Sequence, residues 1–96
     1  MKLTAEEARF LAPIAAAYPP GNGGKYYHNG RGYYHFLSTG ETEGGCPAIH
    51  LAARRKCSPR EALDTLQDVI PPFLYVLDTD PPAVGEKLLE YAENNP

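Results

Sequence analysis

The sequence predicts a small α+β domain: helices packed on a small antiparallel sheet. Three observations lead there. An Asn29-Gly30 corner sits between two aromatic runs, an apolar stretch at 62–70 recurs at helical spacing, and local capping signals open several helices.

Thr4-Ala5-Glu6-Glu7 has the form of a capping box, with the Thr4 hydroxyl meeting the Glu7 amide and the Glu7 carboxylate reaching back. Phe10, Leu11, Ile14 and Tyr18 then fall on one helical stripe. Pro13 interrupts that run. It lacks an amide donor and crowds the preceding turn, so a kink or a fresh start is expected there. Pro19 to Gly24 reads as a loop.

In residues 25–37 the Asn-Gly pair suits both corners of a type I′ turn, giving a Tyr-rich β-hairpin. Strand alternation puts Tyr27, Tyr34 and Phe36 on one face and Tyr26, His28, Arg31, Tyr33 and His35 on the other. Ser38 to Gly45 is another loop. Pro47 suits a first helical position, for a short helix near Pro47 to Lys56. Ser58-Pro59-Arg60-Glu61 repeats the capping-box pattern before Ala62, Leu63, Leu66, Val69 and Ile70, and Pro71-Pro72 stops that helix. Phe73 to Leu77 fits a third strand or a single helical turn. The strand is favoured because β-branched and aromatic types predominate and a lone hairpin is marginal. Asp80 then caps a last helix with Val84, Leu88, Tyr91 and Ala92 inward.

Ninety-six residues make one domain, 1–96, and 43% hydrophobic with 22% charged content is that of an ordinary globular chain. No run reaches the length of a membrane span, and Glu6 and Glu7 break any leader-like apolar stretch at the start, so a cytoplasmic location is expected. Two cysteines fit that compartment. The net charge of -3 is divided: residues 1–60 carry +4 and residues 61–96 carry -7. Such asymmetry points to an oriented contact with a partner.

His28, His35, Cys46 and His50 are the candidate ligands of a zinc site, since Cys46 and His50 lie about 6 Å apart along a helix axis. Cys57 lies about 16 Å along the axis from Cys46 if the helix is continuous, too far to share that ion or form a disulfide. Cys46 before a helix N-terminus is also a candidate nucleophile, but no third, orienting residue follows from the spacing. No phosphate-cradling loop is present. No cofactor and no catalytic residue are therefore assigned, and a non-enzymatic protein is expected.

Residues 51–66 resemble the helix-turn-helix of bacterial transcription regulators. Ala52 matches the small residue of the first helix, Lys56-Cys57 the turn, Ser58-Pro59 the opening of the recognition helix, and Ala62 a core position. The segment departs from that pattern at Lys56, where glycine is usual, and at Arg55 and Thr65, where apolar residues are usual. Glu61, Asp64 and Asp68 would face the phosphates. The resemblance implies nucleic-acid binding, for which the aromatic hairpin is a second candidate surface.

The basic residues Arg54, Arg55 and Lys56 and the hairpin face of Tyr26, His28, Arg31, Tyr33 and His35 form the candidate partner-binding set, since Tyr and Arg dominate interface hot spots. The expected function is that of a regulator or inhibitor of a larger protein, acting as monomer or homodimer. In bulk properties the chain is similar to small phage and mobile-element inhibitors such as anti-CRISPR proteins, which would place it in a host cytoplasm.

Overall fold

A computed structural model of the protein describes residues 2–19 and 46–96. They form α1 (Ala5–Ala16), α2 (Pro47–Arg55), α3 (Pro59–Val69), α4 (Phe73–Thr79) and α5 (Pro81–Asn94). Among the described residues there is no strand, so over them the α+β expectation, with helices on a sheet, is replaced by an all-helical arrangement. The β-hairpin expected at 25–37 lies outside the described residues.

The third strand expected at 73–77 is overturned by its burial pattern. Strand alternation would put Phe73, Tyr75 and Leu77 on one face. Phe73 and Leu77 are wholly buried, but Tyr75 is 67% exposed. Burial at i and i+4 is the period of a helix. The Gln67 side chain accepts from the Phe73 amide at 3.0 Å, so the end of α3 helps start α4. Five apolar residues carry no period of their own, and the packing of their two ends decided the outcome.

Side-chain caps mark the starts of α1, α3 and α5, while α2 opens on Pro47 without one. Thr4 and Glu7 form both bonds of the capping box, at 3.0 and 2.9 Å. Ser58 Oγ accepts from the Glu61 amide at 3.2 Å and Asp80 Oδ1 from the Ala83 amide at 3.3 Å. Each satisfies an amide that the first helical turn leaves open.

α1 runs continuously through Pro13 instead of starting afresh. Pro13 is exposed and near the C-terminal end, where its carbonyl still accepts from the Ala17 amide at 3.1 Å. Of the expected stripe, Leu11 and Tyr18 are buried and Ile14 packs against the core, but Phe10 departs from it. Ala8, Leu11, Ala12 and Ala15 face the core, while Phe10 is 37% exposed.

These small side chains let α1 lie close against α5, its main packing partner. At the crossing, Gly85 meets Ala12 and Ala16; a Cβ on Gly85 would sit 3.0 Å from the Ala12 carbonyl oxygen. Leu66, Phe73, Leu77, Val84 and Leu88 fill the centre of the core together with Ile49 and Leu51 of α2.

Candidate functional site

The unit α2–Lys56-Cys57-Ser58–α3 has the connectivity that the helix-turn-helix resemblance implies. Ala52 and Ala62 are both fully buried, as the pattern requires of its small and core positions. Lys56 ends α2 with φ 57° and ψ 43°, the left-handed region. That is why glycine is usual there: a side chain in this conformation costs about 1 kcal/mol. Lys56→Gly is accordingly expected to raise stability by roughly 0.5–1 kcal/mol, read as a higher urea midpoint at unchanged slope.

The other two departures from the pattern explain each other. Arg55 Nε and Nη2 donate to the two carboxylate oxygens of Glu7, both at 2.6 Å. Its Nη2 also donates to the Lys2 carbonyl at 2.8 Å, and Nη1 reaches Thr65 Oγ1 at 3.4 Å. Thr65 Oγ1 in turn donates to the Glu61 carbonyl at 3.0 Å. Two positions that are apolar in that pattern thus belong here to one polar cluster joining α1, α2 and α3. The side chains of Arg55 and Glu7 are only 9% and 13% exposed. The Arg55 hydrogen bonds hold the Glu7 carboxyl below its ordinary pKa despite the opposing effect of burial, and Glu7 raises that of Arg55.

Arg54 is turned the same way. It pairs with Glu6 at 2.8 Å and lies over the Phe10 ring, 4.4 Å from its centre. Of the basic residues expected to dock a partner, Arg54 and Arg55 therefore contact carboxylates of α1, and Lys56 is exposed. Arg60 and Asp64 approach to 3.6 Å on the exposed side of α3. That side also carries Glu61 and Asp68, so the helix matching the recognition helix presents an acidic surface.

Cys46 precedes α2 as expected, but it is fully buried. Burial raises its thiol pKa and outweighs the Ile49 and Ala48 amides that would favour a thiolate. His50 is half-buried, edge-on to Phe10 at 6.4 Å, and burial lowers its pKa. Among the described residues no group of three His, Cys, Asp or Glu side chains could hold a metal ion. The other candidate ligands, His28 and His35, lie outside the described residues, as do Tyr26, Arg31 and Tyr33.

Two concavities meet along the seam between α3 and α5. One, of about 630 Å³, is bounded by Lys2, Leu3 and Arg55 at one end and by Glu61, Asp64 and Asp68 along α3. The other, of about 420 Å³, continues past Ile70, Pro71 and Val76. Val69, Tyr91 and Asn95 line both, so they form one elongated groove. The Tyr91 hydroxyl donates to the Leu3 carbonyl at 2.7 Å and fixes the N-terminal segment as part of the wall.

Sequence patterns could not place this groove, because its walls come from opposite ends of the chain. Its one local sign is the spacing of Glu61, Asp64 and Asp68, which puts three carboxylates on one side of a helix. No described helix is long and apolar enough to cross a membrane. Comparison with protein-family models, curated proteins and solved structures finds no match.

Proposed function

We propose that the chain is a non-enzymatic binding protein that regulates or blocks a larger protein partner. One observation carries this reading. The arginines of its basic stretch turn toward α1 carboxylates, while the exposed side of α3 is acidic. Duplex DNA carries about one negative charge per 1.7 Å, so a helix bearing Glu61, Asp64 and Asp68 is repelled from its groove. The same carboxylates suit the basic surface of a protein. In this reading the chain works in the cytoplasm, or in a host cytoplasm if phage-encoded, as monomer or homodimer.

The α2–turn–α3 geometry favours a second reading, duplex binding through the helix-turn-helix-like unit. A mobility-shift titration with mixed-sequence duplex DNA at about 50 and 200 mM salt separates the two. No shift is expected at either concentration. A shift at low salt that weakens by powers of ten at high salt would replace the first reading with the second.

A further inference from the structure

We infer that the α3–α5 groove is the docking site for an extended segment of a protein partner that carries lysine or arginine at alternate positions. This rests on the protein-binding reading above and names the chemistry it requires. The groove's shape comes first. Two concavities sharing Val69, Tyr91 and Asn95 form a trough, and a trough fits a stretched chain better than a compact metabolite. Along α3 it runs from Glu61 to Ile70, a rise of roughly 14 Å. An extended chain advances about 3.3 Å per residue, so some four or five residues fill it.

The second argument is register. Asp64 and Asp68 are separated by about 6 Å along the helix axis. Side chains at i and i+2 of an extended chain stand roughly 6.6 Å apart on the same side. Alternate cationic side chains can therefore meet both acids, displacing the exposed Arg60 from Asp64, with their aliphatic stems lying on Val69 and the Tyr91 ring. The third argument is charge. Arg55, the guanidinium at the end of the groove, is paired with Glu7, so it opposes a cationic guest little. Lys2 and Lys87 also line the groove, but they stand against Glu61, Asp64, Asp68 and Glu90, so its lining stays net negative.

The test uses the full chain and a labelled five-residue peptide with arginine at positions one, three and five and serine between, capped at both ends. Fluorescence anisotropy at low salt is expected to give saturable binding. An Asp64→Lys/Asp68→Lys variant should bind roughly tenfold or more weakly. Both positions are exposed, so the melting temperature should hold; Asp64→Asn/Asp68→Asn provides a milder pair should it not. Glu86→Lys/Glu93→Lys, which reverses two exposed acids outside the groove, should leave binding within twofold of the parent. The proposal is overturned if the peptide does not saturate, if the groove pairs bind like the parent, or if the Glu86/Glu93 pair loses as much. A captured protein partner that binds the Asp64/Asp68 variant as well as the parent would also remove the groove, while leaving the protein-binding reading in place.

Discussion

Arg55→Ala is expected to destabilise the protein by about 2–3 kcal/mol, whereas Arg54→Ala, one residue away, should cost less than about 1 kcal/mol. The difference follows from burial. Arg54 and Glu6 are 40% and 81% exposed, and water screens and replaces their contact. Removing Arg55 strands the Glu7 carboxylate where little water reaches it and takes a donor from the Lys2 carbonyl. A fully enclosed pair would cost about 3–5 kcal/mol to break; the remaining solvent access here lowers that figure. Arg55→Leu, which introduces the apolar type usual in the regulator pattern, should fare little better, because Glu7 stays behind. Urea unfolding of the three variants checks all of this.

The same pair gives the protein an acid limit. The folded-state pKa of Glu7 lies below its unfolded value, so its contribution is complete above the ordinary carboxylate range near pH 4.5. It is lost as pH falls through the depressed folded value. Arg55 stays charged throughout and contributes no pH dependence of its own in this range. Glu7→Gln should therefore be less stable than the parent at pH 7, and the gap should close as both are taken below pH 4.

Gly85→Leu is the second large effect, about 3 kcal/mol, or a fall in melting temperature on the order of 15 °C for a domain of this size. The physical reason is the α1–α5 crossing. A Cβ alone would already press on the Ala12 carbonyl oxygen at 3.0 Å and on Ala16 Cβ at 3.1 Å. The first is backbone and cannot rotate away, so a leucine must separate the two helices. Gly85→Ala gains about 1 kcal/mol of helix propensity against a smaller steric cost, and should lie much nearer the parent. If leucine melts with the parent, the helices do not meet as closely as described.

The contrast between residues explains how much could be read from sequence. Thr4, Ser58 and Asp80 were legible as helix starts because a cap joins residues three apart, and that distance is visible in the chain itself. The apolar period of α3 was legible for the same reason. Phe73–Leu77 was not, since its conformation depends on which side chains the core accepts. The outward turn of Phe10 was hidden because alanines at 8, 12 and 15 face the core in its place. In the candidate site, Arg55 and Glu7 are 48 residues apart, beyond any local pattern. A weaker signal was present. Arg55 and Thr65 are both polar where one motif is apolar, and two such departures in one motif can satisfy each other.

That polar cluster draws Arg55 inward, while burial of Ala62, Leu63 and Leu66 turns the acidic side of α3 outward. A double-mutant cycle on Glu7→Ala and Arg55→Ala, followed by urea unfolding, measures the link directly. A coupling of about 1.5–3 kcal/mol is expected for a bidentate, largely enclosed pair. Additive losses, with coupling below roughly 0.3 kcal/mol, would mean that the two side chains do not hold each other.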